Sequence, residues 1–129
     1  MISSKQTPDM IVDLIFVADP VIASRSSDVS TIITGWRKAM EFIKSNPDEA
    51  NTIMAKAFNL TVSEFKDSVG GITWLDLADN QRLFGTNDSS APLYKNFTVV
   101  RDVLHRNRSD VFQANPQDHL TRTFVQKSP

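Results

Sequence analysis

Residues 35–50 read G-W-R-K-A-M-E-F-I-K-S-N-P-D-E-A, and the parsing of this stretch decides the fold. Together with the residues before it, Val29, Ile32, Ile33, Trp36, Met40 and Ile43 fall at helical spacing on one face, while Arg37, Lys38, Glu41 and Lys44 lie off it. Ser27 or Asp28 is placed to cap the start of this helix. Asn46-Pro47-Asp48-Glu49 then breaks it and opens a second helix, with Asn46 as N-cap, Pro47 in the first turn and Glu49 at N3. Ala50, Ile53, Met54, Ala57 and Phe58 form the inner face of that second helix.

Reading toward the C-terminus, Thr61-Val62-Ser63-Glu64 is a capping box that opens a short helix with Val62, Phe65 and Val69 inward. Gly70-Gly71 is expected to end it in the left-handed conformation. Ile72 to Leu75 reads as a short extended piece, and Asp76 caps a turn of helix that runs to Phe84-Gly85. Leu93, Phe97, Val100 and Leu104 give a fourth amphipathic helix, and Asn115-Pro116 opens a last one carrying Leu120 and Phe124. Toward the N-terminus, Ile11 to Val17 is rich in β-branched and aromatic residues and is bounded by Pro8 and Pro20, which predicts a strand. Leu14 to Val17 do not alternate with polar residues, so both faces of that strand are expected to be buried. The class that results is α+β and mainly helical, with about five helices and one or two short strands in a single domain spanning residues 1–129. A buried strand needs neighbours, and this chain offers few.

Composition bounds the function without naming it. The chain has 129 residues, of which 40% are apolar and 22% charged, and its net charge is −1, so no global electrostatic case for nucleic acid or an anionic membrane arises. Cysteine is absent, which removes disulfides, thiolate zinc sites and cysteine nucleophiles. The longest apolar run, Leu14 to Ala18, is far short of the roughly 20 residues that span a bilayer. The first residues, M-I-S-S-K-Q-T-P, lack the basic-then-apolar order of a secretory signal.

The chemistry-bearing residues do not assemble into a catalytic set by spacing. His105 and His119 sit fourteen positions apart with no H-x-x-x-H order, so no metal is expected. Asp48-Glu49, Asp76-Asp79 and Asp118 each fall in a first helical turn, where the backbone dipole favours negative charge. No G-x-S-x-G, P-loop or G-x-G-x-x-G occurs, and neither an enzyme nor a cofactor is expected. Trp74 follows the glycine pair in a non-helical stretch, where it either packs in the core or stands at the mouth of a cleft.

The order of these segments resembles the C-terminal half of the substrate-binding receptors of ABC importers in the nitrate, sulfonate, taurine and bicarbonate group, a branch related to thiamine-precursor binders. The most specific part is W-x-x-A-x-x-F-I-x-x-N-P-x-E-A, carried by Trp36, Ala39, Phe42, Ile43, Asn46, Pro47, Glu49 and Ala50, followed by N-L-T-V-S-E-F and G-I-T-W-L-D. The match is good over residues 2–85 and loose over 86–129. It implies a fragment of a type II periplasmic-binding-protein fold, the C-terminal portion of a two-lobe receptor more than twice this length. Such a receptor holds a small anionic or zwitterionic solute and delivers it to a membrane permease from the periplasm or another extracytoplasmic space, with a signal peptide upstream of this chain.

The resemblance places Ser3, Ser4 and Asp13 near the hinge and cleft, and with Trp74 they are the expected ligand-binding residues. A hydroxyl there can bond an anionic head group, and Asp13 can meet an amine. The strand from Ile11 to Val17 is then one whose neighbours lie on another part of the receptor, and self-association of the isolated chain is expected to cover it. The alternative is a stand-alone helical interaction module whose paired helices present a groove to a peptide.

Overall fold

A computed structural model describes residues 6–7, 9–87, 90–107 and 114–126. Among them are eight helices: α1 (Asp19–Ser24), α2 (Ser26–Ser45), α3 (Pro47–Ala57), α4 (Val62–Val69), α5 (Leu77–Phe84), α6 (Pro92–Asn107), α7 (Pro116–His119) and α8 (Thr123–Gln126). The chain forms two compact units, one comprising Met1–Ser24 with Leu77–Pro129 and the other Arg25–Asp76.

The Arg25–Asp76 unit contains α2, α3 and α4. Asn46 separates α2 from α3 and Pro47 occupies the first turn of α3, where a missing N–H costs nothing. The Asn46 side chain does not cap that helix; its amide donates to Ser45 Oγ at 2.9 Å instead. Helix α3 closes on Asn59, which takes a left-handed φ of 56° while the Leu60 N–H donates back to the Ala55 carbonyl at 2.9 Å. This is a Schellman-type ending, with asparagine in the position glycine usually fills. The capping box of α4 is present in full: Thr61 Oγ1 accepts from the Glu64 N–H and the Glu64 carboxylate accepts from the Thr61 N–H. The Thr61 hydroxyl, which donates to the Glu64 carboxylate at 2.6 Å, and after it the Thr61 N–H hold the Glu64 carboxyl below its ordinary pKa. The core of the unit is Val29, Met40, Ala50, Ala55 and Phe65.

The other unit contains α1 and α5 to α8. Leu83, Ala91, Leu93, Tyr94 and Val125 are its buried apolar residues. Hydrogen bonds fix the short C-terminal helices onto it. Gln81 Nε2 donates to the Val125 carbonyl at 3.1 Å, and Tyr94 Oη donates to the Leu120 carbonyl at 3.0 Å. The Arg122 guanidinium lies 5.2 Å from the centre of the Tyr94 ring and donates to the Thr86 carbonyl. Burial pushes the Tyr94 phenol above its ordinary pKa.

Several expectations are corrected. The mainly helical class stands, but no strand occurs among the described residues, so the strands from Ile11 to Val17 and Ile72 to Leu75 are not formed. Both segments are non-helical; what they lack is a ladder, because strand structure requires a hydrogen-bonding neighbour. Burial of the first on both faces also fails: Ile11 is 81% exposed, Ile15 57% and Phe16 87%. Eight helices replace about five, since Asp19-Pro20 opens a helix that the strand reading overlooked and the last predicted helix is two short ones. Helix α2 starts at Ser26 with Arg25 in the cap position and no side-chain cap, so neither Ser27 nor Asp28 caps it. Gly70 is right-handed, with φ −60°, because α4 ends in tight turns, Gly70 N–H to Asp67 and Ile72 N–H to Val69, that need no left-handed residue. The described glycine with positive φ is Gly85, at 57°, after α5.

Candidate functional site

Two places carry exposed chemistry, one in each unit. In the first unit, residues 10–14 and α6 line an open groove of about 490 Å³. Met10, Ile11, Val12 and Leu14 line it from this segment and Phe97, Val100 and Leu104 from α6, with Asn96 and Arg101 as polar groups. The volume lies within the range of small-molecule clefts. Arg101 is engaged by its neighbours, donating to the Asp102 carboxylate at 2.9 Å and to the Ala114 carbonyl at 3.1 Å.

A clasp at Asp9 holds the start of this segment in place. Its carboxylate accepts two bonds from Arg82, at 2.9 and 3.1 Å, and its carbonyl accepts from the Asn96 side-chain amide. Asp9 adopts a left-handed φ of 64°, a conformation aspartate tolerates better than most residues. The Arg82 hydrogen bonds keep the Asp9 carboxyl below its ordinary value of 3.8, outweighing slight desolvation. A carboxyl with a depressed folded pKa contributes stability above its unfolded pKa and loses it as pH falls through the folded value. Asp9→Asn is therefore expected to melt below the parent chain at neutral pH. That difference should begin to shrink as pH falls below 3.8 and vanish only below the depressed folded value, which thermal melts of both proteins through that acid range measure. The ion pair is partly exposed, so the neutral-pH difference is small, at most about 1 kcal/mol.

In the second unit, Trp74 is half-buried and its ring centre lies 6.4 Å from that of Trp36, tilted by 45°. Trp36 is 40% exposed and donates from Nε1 to the Leu75 carbonyl at 3.2 Å. Lys44 Nζ meets the Asp76 carboxylate at 2.6 Å on the same segment. The two indoles thus pin residues 74–76 to α2, and Trp74 is a packing partner of Trp36.

Of the sequence-predicted ligand residues, Asp13 and Trp74 lie among the described residues, one in each unit. Ser3 and Ser4 lie outside the described residues. Asp13 is on the non-helical N-terminal segment of the first unit and is exposed, so it is not the buried carboxylate that an apolar strand would have made it. Trp74 belongs to the other unit. Sequence reasoning missed the Asp9 clasp, although an aspartate after Pro8 is a turn signal, and it read Leu93, Phe97, Val100 and Leu104 only as the apolar face of an amphipathic helix. Among the described residues, no group of three or more histidine, aspartate or glutamate side chains could hold a metal ion, and no helix is long and apolar enough to cross a membrane. Comparison with protein-family models, with curated proteins and with solved structures gave no match for this chain.

Proposed function

We propose that the chain is the C-terminal portion of a solute-binding receptor of an ABC import system, with no catalytic role. On this reading the whole receptor captures a small anionic or zwitterionic solute, a sulfonate, taurine, nitrate or similar molecule. It works in the periplasm or another extracytoplasmic space and passes the solute to a permease. What supports the reading is the state of one segment. Residues 11–17 have the composition of an interior strand, yet they are non-helical and largely exposed, with no ladder partner among the described residues. Beside them, Val99, Val100, Val103 and Leu104 of α6 are also exposed. A helix apolar over so wide an arc suits a layer packed against a sheet, the arrangement of an α/β lobe. The finer fold, a fragment of a type II periplasmic-binding-protein lobe, rests on the same observation and on the motif from Trp36 to Ala50.

The expected ligand residues, Ser3, Ser4, Asp13 and Trp74, remain part of this proposal, with the rest of the cleft supplied by the other lobe. Calorimetric titration of the native gene product and of the 129-residue chain tests it, using taurine, an alkanesulfonate, nitrate and bicarbonate. The native product is expected to bind one of these solutes and the isolated chain none measurably. Absence of binding by the native product, or capture of a helical or extended peptide by the isolated chain as a monomer, contradicts the receptor. The second outcome favours the stand-alone interaction module, the reading for which the apolar groove beside α6 speaks.

A further inference from the structure

Residues 9–24 are tied to the rest of their unit at one point. Among the described residues, the hydrogen bonds of Ile11 to Ser24 are all local: besides the ladder of α1, Val21 and Ile22 N–H donate to the Ala18 carbonyl and Ser24 Oγ to the Pro20 carbonyl. Met10 N–H donates back to the Thr7 carbonyl. The bonds that reach another element are those of Asp9, two from Arg82 of α5 to its carboxylate and one from Asn96 of α6 to its carbonyl.

Packing adds little to that tie. Helix α1 buries no residue, and Ile11, Ile15 and Phe16 are exposed. The groove that Met10, Ile11, Val12 and Leu14 share with α6 is open space, so these side chains are not interlocked with Phe97, Val100 and Leu104. The left-handed φ of Asp9 is a further cost, borne only while its carbonyl and carboxylate are held where they are. By contrast, separating α5, α6 and α8 would uncover the buried Leu83, Ala91, Leu93, Tyr94 and Val125. A stretch with one polar tie and few buried contacts opens well before such a core does.

We propose that residues 9–24 form an arm that swings away from α6 as one piece, with Asp9, Arg82 and Asn96 as its latch. Latched, the arm lines the groove together with α6; unlatched, it leaves Phe97, Val100 and Leu104 without that lining. A guanidinium fork on a carboxylate is the strongest kind of surface ion pair, yet this one is partly exposed, and its loss shifts the balance toward the open arm by about fivefold. The inference rests on hydrogen bonding and burial and does not need the receptor reading.

The chain has no native cysteine, so spin labels can be placed through Phe16→Cys on the arm and Val99→Cys on α6, two exposed positions of the same unit. Pulsed electron resonance of the labelled chain is expected to show a main short-distance population. In Arg82→Met the long-distance fraction should rise relative to the short one by about fivefold. Arg82→Lys, which keeps the charge and loses the fork, should fall between. Chymotryptic cleavage after Leu14 and Phe16 should accelerate by the same factor in Arg82→Met, while cleavage after the buried Leu83 and Tyr94 stays unchanged. Identical distance distributions with and without Arg82 overturn the proposal, since the pair is then no latch. Equal acceleration at all four cleavage sites also overturns it, because the unit then unfolds as a whole.

Discussion

Phe65→Ala is expected to unfold the Arg25–Asp76 unit. Phe65 is 2% exposed and is the largest of the five buried apolar side chains there. Two of the other four buried residues, Ala50 and Ala55, have side chains too small to refill the space it leaves. Truncation of a buried phenylalanine costs about 3–5 kcal/mol, and a core this small supplies a total of about the same size. The ring also stacks on Phe58 with centres 6.0 Å apart, and truncation abolishes that stacking as well. Far-UV circular dichroism should show loss of helix, and hydrogen exchange should place that loss in residues 25–76. Phe58→Ala is the internal comparison: Phe58 is largely exposed, so its removal is expected to cost about 1 kcal/mol or less. Equal effects of the two substitutions would contradict the assignment of Phe65 to the core.

Gly85→Ala carries the second large effect, in the other unit. Gly85 has φ 57°, where a β-carbon costs about 1 kcal/mol or more, and a β-carbon built there lies 2.9 Å from the Ala91 β-carbon. Neither atom is at the end of a flexible side chain, so the loop from Gly85 to Ala91 must shift. The Gly85 carbonyl also accepts a bond from Gln126 and its N–H donates to Gln81, which ties this turn to α5 and α8. The combined cost is about 2–4 kcal/mol, read as a lower midpoint in urea unfolding. Ala91→Gly in the same chain should recover the steric part and leave the part due to φ, so the double variant lies between the two extremes. A midpoint unchanged in Gly85→Ala would show that the turn does not have this geometry.

The helical framework was legible wherever local chemistry decides it. Asn46-Pro47, Thr61 to Glu64 and Asn115-Pro116 mark helix starts through a missing N–H or a hydroxyl acceptor, and these signals need no tertiary information. The end of α3 at Asn59 rests on a different local property, asparagine's tolerance of the left-handed φ of 56° found there. What could not be read was anything requiring a partner. Ile11 to Val17 has strand composition, but a strand is a pairing, and composition does not supply the neighbour. The face predicted for α2 is half right: Val29 and Met40 are buried, while Ile32 and Trp36 are exposed. Periodicity fixes which residues share a face and leaves open how much of that face is covered.

The site was less legible still. Trp74 was read as either core or cleft, and its contact with Trp36, 38 positions earlier, is a product of the tertiary fold. Arg82 gives no sign in sequence that it clasps Asp9, because a salt bridge across so long a separation has no spacing rule. Asp13 shows the converse. Its exposed position follows from the absence of paired strands among the described residues, and a sheet formed on this segment would change its surroundings.

The central claim is that this chain is part of a larger receptor, and the intact mass of the native gene product tests it most directly. Mass spectrometry of that product, isolated from cells carrying the gene, is expected to give more than twice 14.5 kDa with a processed N-terminus. A mass of about 14.5 kDa would contradict the account and leave a self-contained helical protein whose partner is to be sought by pull-down.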